Sequence, residues 1–289
     1  MRKHILLLAA LCLVPLVSLA QTGAAPAESR LKKIQDSRSI ALAYRQDAAP
    51  FSYEGSDKQP AGYMVELCRT AAGAIGRQIG VPDLQIKWVA VSTQTRFTTV
   101  ANGQADMECG ASTVTLGRMK EVGFSSLTFL DGTGLLVRSA TGGYSLSALA
   151  GKKIGVIAGT SNERALDRAL KALVVTATVV PVKTREEGLA QLESGAIDAF
   201  ASDRVLLMGL AAASKNPAGL ALMVDALSYE PYAIVLPRGD WALQQAVNAA
   251  LSQIFQSPAL PELYARWFAA MGKPSPMLEI MYGLGGLPE

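Results

Sequence analysis

The stretch Asp106-Met-Glu-Cys-Gly-Ala-Ser-Thr-Val-Thr-Leu-Gly-Arg118 has the pattern of a short strand, a turn of small and hydroxyl-bearing residues, and the start of a helix. Backbone N–H groups at a helix N-terminus favour an anion. The hydroxyls of Ser112 and Thr113 and the guanidinium of Arg118 add donors that suit a carboxylate. The segment therefore predicts a carboxylate-binding socket without a catalytic group. The alternative is an ordinary capped helix with an arginine on the surface.

The same plan occurs a second time along the chain. Residues 100–112 and residues 192–203 both show a helix end, a glycine stop, a strand and a polar turn. Glycine suits the left-handed position that follows a helix. Ligands of open α/β sheets bind beyond the carboxyl ends of strands. Thr113 and Asp203 stand at those ends, so we expect two similar lobes that each contribute a polar loop to a shared cleft.

Alternating strand and helix patterns on either side of these segments predict an α/β fold with largely parallel sheets. Strands are predicted at 39–44, 84–91, 105–109, 153–157, 177–182 and 196–201, and helices at 62–79, 93–102, 115–122, 161–173 and 184–194. Two further extended runs, 133–138 and 232–236, predict two crossings between the lobes and hence a hinge. Residues 241–271 predict two helices split at Ser257-Pro258. Residues 274–289 predict an irregular Pro/Gly-rich tail with apolar anchors at Met281 and Leu284.

The first residues have the pattern of an export signal. A basic start at residues 1–4 precedes an apolar run that Pro15 interrupts, and Ser18-Leu-Ala20 is a small-x-small cleavage site. The run is too short and broken for a membrane span. We therefore expect a signal peptide at 1–20, a leader at 21–36, lobe 1 at 37–136 and 233–289, lobe 2 at 137–232, and a secreted product.

The composition limits the chemistry of the exported chain. The formal net charge is +3, and removal of Arg2 and Lys3 brings it close to neutral, which gives no reason to expect nucleic acid or an anionic membrane as a partner. His4 is the only histidine, so the exported chain has no Ser-His-Asp or Cys-His catalysis and no histidine-ligated metal. Chemistry based on carboxylate, lysine or tyrosine is still open.

Two cysteines, Cys68 and Cys109, remain after cleavage. An even pair in an oxidising compartment predicts a disulfide. The alternative is two buried thiols.

Several short motifs occur in a specific order and spacing. They are Arg45-Gln-Asp-Ala-Ala-Pro-Phe-Ser-Tyr53, Thr93-Gln-Thr-Arg96, Glu108-Cys-Gly-Ala-Ser-Thr113 with Arg118, Leu149-Ala-Gly-Lys-Lys-Ile154, Ala158-Gly-Thr160 and Leu192-Glu-Ser-Gly195. From about Leu31 to Trp267 the chain resembles the periplasmic amino-acid-binding proteins of ABC importers, the family-3 solute-binding type, and most of all their glutamate/aspartate branch. The resemblance implies a type II periplasmic-binding-protein fold, in which two α/β lobes joined by two strands enclose the ligand.

The resemblance also implies how an amino acid would be held. The ligand's α-carboxylate would bind Arg118 and Thr113, and its α-ammonium would bind Asp203. Thr160 and Ser161 open a helix and would donate hydrogen bonds from lobe 2. Asp203 has an alternative role as the N-cap of the helix that follows it.

Selectivity for an acidic side chain would come from further cations. Arg45 and Arg96 match arginines that this branch uses for the side-chain carboxylate, although solvated surface positions are the commoner fate of arginine. Arg185 stands where the branch commonly has a histidine, and an additional cation would still suit a dicarboxylate. The resemblance also implies ligand contacts with Thr93, with the backbone at Ala111 and with an aromatic cleft wall at Phe51. Core packing is the alternative role of Phe51.

The leading hypothesis is a monomeric binding protein that captures glutamate or aspartate, or alternatively glutamine or another polar amino acid, for an inner-membrane permease, without a cofactor. A second hypothesis is a secreted dehydratase acting on the cyclohexadienyl carboxylates prephenate or arogenate. Such an enzyme needs a general acid, for which Glu108 and Glu163 are the nearest candidates. A third is a sensor lobe for a signalling partner.

Overall fold

The computed structural model describes residues 29–141 and 145–288. The predicted signal peptide and nearly all of the predicted leader lie outside these residues. Within them, no helix is long and apolar enough to cross a membrane.

Two five-stranded sheets organise the chain, and each is the centre of one lobe. The strands, numbered in chain order, are β1 Ser39–Arg45, β2 Asp47–Ala48, β3 Ser52–Glu54, β4 Pro60–Ala61, β5 Gln85–Val91, β6 Met107–Glu108, β7 Gly123–Asp131, β8 Thr133–Arg138, β9 Lys153–Ile157, β10 Thr178–Val182, β11 Ala199–Asp203, β12 Leu220–Leu222 and β13 Glu230–Leu236. The helices are α1 Arg30–Ser37, α2 Tyr63–Gln78, α3 Arg96–Ala101, α4 Ser161–Ala172, α5 Arg185–Ser194, α6 Arg204–Ala212, α7 Trp241–Gln256, α8 Ala259–Phe268 and α9 Pro276–Gly285.

The two sheets have the same plan. Lobe 1 has the strand order β5-β1-β6-β13-β7, and lobe 2 has β10-β9-β11-β8-β12. In each, the first three strands are parallel and the last two run antiparallel to their neighbours. The prediction of two similar α/β lobes is confirmed. A small additional sheet, β2-β3-β4, lies in lobe 1 just after Arg45.

Helix α2 covers the core of lobe 1. Tyr63, Leu67, Ala71 and Ile75 recur every four residues and are all buried, which is the spacing of one helix face. This face packs against α7 and β1. Cys68, on the same buried side, is joined by a disulfide to Cys109, which directly follows β6. The predicted disulfide is therefore present.

The chain passes between the lobes twice, at Gly132 and between β12 and β13. Gly132 suits the first crossing because a Cβ there would lie 2.6 Å from the Ser228 carbonyl oxygen. Strand β8 pairs wholly within the lobe 2 sheet and β13 wholly within the lobe 1 sheet. The expected lobe boundaries, after residues 136 and 232, therefore fall inside strands, because each extended run belongs to one sheet and does not span the hinge.

Asp131, the last residue of β7, ties the two lobes together at the first crossing. Its Oδ1 accepts the backbone N–H of Gly132 at 2.7 Å, and its Oδ2 accepts that of Val205, in the first turn of α6, at 3.1 Å. A side chain of lobe 1 thus caps a helix of lobe 2. Burial, together with the neighbouring charge of Asp203, raises the pKa of Asp131 to about 7.

Residues 115–122 do not form the predicted α-helix, and contain only a short 3₁₀ turn, Arg118–Lys120. The preceding residues are held extended, because Thr113 forms a β-bridge with Tyr232 and the Val114 N–H donates to the Pro231 carbonyl at 2.8 Å. The expected anion site at a helix N-terminus is therefore absent here. An anion bound beside Arg118 would be held mainly by side-chain donors and not by the backbone N–H groups of a helix.

The C-terminal tail is also more regular than its composition predicts. Ser275 Oγ accepts the Leu278 N–H at 3.3 Å at the start of α9, and Pro276 suits the first helical position. Leu278 and Tyr282 are buried in lobe 1, whereas Leu284, an expected anchor, is 73% exposed. Met281 packs partly against the core, as expected.

The disulfide predicts a large effect of reduction on stability. It joins residues 41 apart in sequence, and closing a loop of that size stabilises a fold by ~4 kcal/mol on the chain-entropy model. Reduction should lower the free energy of unfolding in urea by about this amount, and a Cys68→Ala/Cys109→Ala variant should be insensitive to reductant. Thiol labelling of denatured, unreduced protein should detect no free thiol; two labelled cysteines per chain would contradict the prediction.

The Asp131 carboxyl predicts a pH-dependent stability. Its pKa is about 7 in the folded protein against an ordinary value of 3.8, so the folded state holds the proton more tightly. The free energy of unfolding should therefore fall as pH rises from about 4 to about 7, by at most about 1.4 kcal/mol per pH unit for one proton. Burial raises the pKa of Asp203 and Glu108 and adds in the same direction.

Urea titrations across this range should give a flatter pH profile for Asp131→Asn than for the native protein. Burial raises the pKa of Asp47, but the charges of Arg45 and Arg185 outweigh it and lower the pKa below its ordinary value. Asp47 therefore changes the free energy of unfolding only at lower pH and does not contribute to the slope in this range. An unchanged slope in Asp131→Asn would show that another group carries the titration.

Candidate ligand-binding site

Charged side chains are buried where the two lobes meet. Arg45 is 0% exposed, Arg96 4%, Arg185 5% and Asp203 4%, although arginine and aspartate are seldom fully buried without partners. The lobes also touch directly, since Ser161 Oγ donates to Thr113 Oγ1 at 3.2 Å. Loops that follow strands of both sheets therefore converge, as the paired sequence plan predicts.

Arg45 ends the interior strand β1 and is fixed from several sides. Its backbone N–H donates to Ser52 Oγ at 2.9 Å, and its Nη2 donates to Thr93 Oγ1 at 2.6 Å and to Asp47 Oδ1 at 2.5 Å. Within the described chain, Nε and Nη1 of Arg45 are buried without a hydrogen-bond partner. Donors left in this state are rare in folded proteins and indicate a site that something else completes.

Arg96 and Arg118 form a second cationic group in lobe 1. Nε of Arg96, the first residue of α3, donates to Ser112 Oγ at 3.0 Å, and its Nη1 donates to the Thr93 carbonyl. Nη1 of Arg118 donates to the Thr113 carbonyl at 2.6 Å. Both guanidiniums lie over the ring of Phe97, at 4.4 and 4.7 Å from its centroid. These contacts hold two like charges close together.

Arg185 reaches from lobe 2 into lobe 1. It is the first residue of α5, which Thr184 caps by accepting the Glu187 N–H at 3.1 Å. Its Nη1 lies 3.2 Å from Asp47 Oδ2, and its Nη2 lies 4.0 Å from Asp203 Oδ2. Nε of Arg185 has no partner among the described residues. This side chain connects the cationic and anionic parts of the site.

Asp203 occupies the N-cap position of α6 but makes no side-chain capping hydrogen bond. Asp131 accepts the Val205 N–H in its place, so capping does not account for Asp203. Its Oδ1 is buried without a partner among the described residues. Burial and the charge of Glu230 raise the pKa of Asp203, and Arg185 opposes them.

Glu108 lies in β6 and is completely buried. Its carboxyl and the stem of Arg45 both lie against Gly110, where a Cβ would come within 2.2 Å of Glu108 Oε1 and 2.8 Å of Arg45 Cγ. Burial raises the pKa of Glu108, and the charge of Arg96 opposes the shift. A buried acid and a cationic site are therefore packed together at a position that only glycine fits.

Some of the expected site residues do not offer an exposed surface or an unused side-chain donor for a ligand in this structure. Phe51 is 0% exposed and packs edge-on against Phe129, with centroids 4.8 Å apart, inside the lobe 1 core, so its packing is that of a core residue. The Thr160 hydroxyl already donates to the Ile157 carbonyl at 2.6 Å and accepts the Glu163 N–H. Ala111 lies beside Ser112 and is buried, and it has no polar side-chain atom to offer.

Sequence reasoning overlooked Asp47 and Asp131. Asp47 stands two residues after Arg45 in a motif already singled out, and an acid so close to a predicted ligand arginine was the available signal. Asp131 ends a strand at a crossing, where no local pattern marks it. In the described part of the chain no group of three or more His, Cys, Asp or Glu residues is placed to hold a metal ion.

The arrangement suits a ligand that carries both charges. Among the described residues, guanidinium N–H groups of Arg45 and Arg185 lack acceptors, and a carboxylate oxygen of Asp203 lacks a donor. A small zwitterion with an extra anionic or polar group could satisfy all of them.

Comparison with known proteins agrees with this geometry. Residues 40–270 match the family of bacterial extracellular solute-binding proteins, family 3. The chain is 32% identical to an L-glutamate/L-aspartate-binding protein of Pseudomonas aeruginosa, covering 91% of this chain and 85% of that one. It is 28% identical to a glutamate/aspartate import solute-binding protein of Escherichia coli, covering 93% and 89%.

Solved structures show the same fold at lower identity. An ancestral amino acid-binding protein, described as a precursor of cyclohexadienyl dehydratase, superposes with a TM-score of 0.71 at 23% identity, covering 83% of this chain and all of that one. The solute receptor for L-cysteine of Neisseria gonorrhoeae superposes with a TM-score of 0.74 at 20% identity, covering 86% and 98%. On the family match and the curated relatives, this chain belongs to family 3 of the bacterial extracellular solute-binding proteins.

Proposed function

We propose that this protein is the periplasmic substrate-binding component of an amino-acid ABC importer and that it holds glutamate or aspartate between its lobes. One observation carries the proposal. In one connected group of side chains, buried polar atoms of opposite character have no partner in the part of the chain that the structure describes: Nε and Nη1 of Arg45, Nε of Arg185 and Oδ1 of Asp203. An acidic amino acid supplies the complementary charges.

Each part of the ligand has a candidate partner. The α-carboxylate binds Arg118 and Thr113, with Ser161 closing on it from the N-terminal turn of α4. The α-ammonium binds Asp203, whose free oxygen the helix does not use. These groups recognise the part that all amino acids share, so they anchor the ligand without choosing its side chain.

The side chain is chosen by the remaining cations. Its carboxylate binds Arg45, Arg96 and Arg185, with Thr93 orienting Arg45. An apolar side chain would leave these guanidiniums buried and unpaired, which is costly. The printed names of the Pseudomonas aeruginosa and Escherichia coli relatives support an acidic ligand.

The rest of the assignment follows from this role. The exported protein is a monomer made by signal-peptide cleavage, it needs no cofactor, and after closing it presents the ligand to an inner-membrane permease. Lobe 1 contributes Arg45 at the end of β1 and the arginines that follow β5 and β6, and lobe 2 contributes α4, α5 and Asp203.

A dehydratase function has weaker support. Such an enzyme needs a general acid within reach of its substrate. The Glu163 carboxylate accepts the Gly159 N–H at 2.8 Å and so fixes its own loop. Glu108 has a raised pKa, but it is enclosed against Gly110 and the stem of Arg45. Neither acid is placed as a free proton donor to a ligand.

The first test is a calorimetric screen of the refolded, ligand-stripped protein against the twenty amino acids. We expect glutamate or aspartate to bind most tightly, glutamine more weakly, and leucine not at all, because only an acidic side chain neutralises the buried arginines. Preference for leucine would contradict the proposed function. Turnover of prephenate or arogenate, followed by absorbance, would favour the enzyme instead.

The second test separates anchoring from selectivity. Arg118→Ala and Asp203→Ala should each weaken every amino-acid ligand by roughly 3–5 kcal/mol, because one charged group of the ligand is then buried without its partner. Arg45→Ala and Arg96→Ala should weaken glutamate and aspartate at least about tenfold more than glutamine. Arg168→Ala, an exposed arginine of α4, is the matched control. If the Arg45 and Arg96 variants lost all ligands equally, the selectivity assignment would be wrong.

A further inference from the structure

Asp47 bridges two arginines of different lobes. Its Oδ1 lies 2.5 Å from Nη2 of Arg45, and its Oδ2 lies 3.2 Å from Nη1 of Arg185. Nη1 of Arg185 also lies 3.4 Å from the Asp47 carbonyl oxygen. Asp47 belongs to lobe 1 and Arg185 to lobe 2, so this contact joins the two lobes.

The bridge lies at the edge of the site. The side chain of Asp47 is 22% exposed, against 0% for Arg45 and 6% for Arg185. Asp47 therefore covers the two guanidiniums on the solvent side. Nε and Nη1 of Arg45 and Nε of Arg185 are buried and have no hydrogen-bond partner among the described residues.

The charges of this group do not cancel. The two guanidiniums face the one carboxylate of Asp47, so these three side chains carry one net positive charge, and three of their guanidinium nitrogens have no acceptor among the described residues. Asp203, 4.0 Å from Arg185, is taken up by the ligand's α-ammonium on the proposed function. One further carboxylate would balance the group and could accept those hydrogen bonds. Without Asp47, the guanidiniums of both Arg45 and Arg185 would face the single side-chain carboxylate of the ligand. Without Arg185, Asp47 would cancel the charge of Arg45, and the pair would no longer attract an anionic side chain.

We propose that Asp47 is a specificity-determining residue of this cleft, which acts with Arg185 as a matched pair to set the net charge that meets the ligand's side chain. The inference rests on the proposed function, because it concerns the discrimination between an acidic side chain and its neutral amide. Asp47 lowers the positive charge of the group and so keeps the cleft tolerant of glutamine. Arg185 raises it and favours glutamate.

A double-mutant cycle tests this pairing. The quantity measured is the ratio of the Kd for glutamine to the Kd for glutamate, obtained by calorimetry on ligand-stripped protein. Asp47→Asn should raise the ratio about tenfold, and Arg185→Ala should lower it about tenfold. The double variant should return to within about threefold of the native ratio, since removing one cation and one anion together leaves the net charge of the group unchanged. If aspartate proves the preferred ligand, the same cycle is run with aspartate and asparagine.

The ratio distinguishes this role from a structural one. A residue that only holds the lobes together would change both affinities by the same factor and leave the ratio at its native value. The exposed pair Arg38–Asp83, with side chains 55% and 66% exposed, provides the matched control. Arg38→Ala, Asp83→Asn and their double variant should not move the ratio.

The outcomes separate the two claims. A native protein that binds no acidic amino acid would refute the proposed function itself. A native protein that binds one, with the ratio unchanged in Asp47→Asn or with a double variant whose ratio stays far from the native value, would overturn only the pairing of Asp47 with Arg185. Thermal unfolding of each variant identifies any that fail to fold, and Asp47→Asn, which is nearly isosteric, keeps the test decisive if Arg185→Ala is unstable.

Discussion

The burial of arginine side chains between the lobes is the constraint on which the rest of this structure depends. An unpaired guanidinium inside a protein is costly, and breaking a buried pair is strongly destabilising. The fold meets this cost with carboxylates from several elements: Asp47 beside Arg45 and Arg185, Glu108 beneath the lobe 1 cations, and Asp203 within 4.0 Å of Arg185. Glycines at 110 and 132 are required because these groups and the crossing chain approach so closely. The balance of charge is incomplete, and on the proposed function the bound ligand completes it.

Much of the architecture was predictable because it depends on local pattern. Two repeats of helix end, glycine, strand and polar turn were sufficient to predict two similar lobes, since the carboxyl ends of adjacent parallel strands must lie at one edge of a sheet. The cysteine pair was predictable from compartment and count. Arg45, Arg96 and Arg185 were found through motif position, and each proved to be buried at the interface between the lobes.

The rest depends on contacts that are distant in sequence. Residues 115–122 have a helix-like pattern, but the segment before them is held extended by Tyr232 and Pro231 on another strand. Phe51 follows a proline, which suits a cleft wall and a core position equally; the surrounding aromatic cluster puts it in the core. The partner of Asp47 lies 138 residues further along the chain. No local signal could have shown that this acid faces a cation of the other lobe.

The disulfide between Cys68 and Cys109 lies directly beside the binding machinery, since Cys109 stands between Glu108 and Gly110 and shortly before Thr113. It fastens the end of β6 to the rigid helix α2. The loop that carries Ser112 and Thr113 therefore loses its conformational freedom when the protein is oxidised, before any ligand arrives. On the proposed function, part of the ordering that would otherwise oppose binding is then complete before the ligand arrives, so lobe 1 supplies a half-site that is arranged in advance.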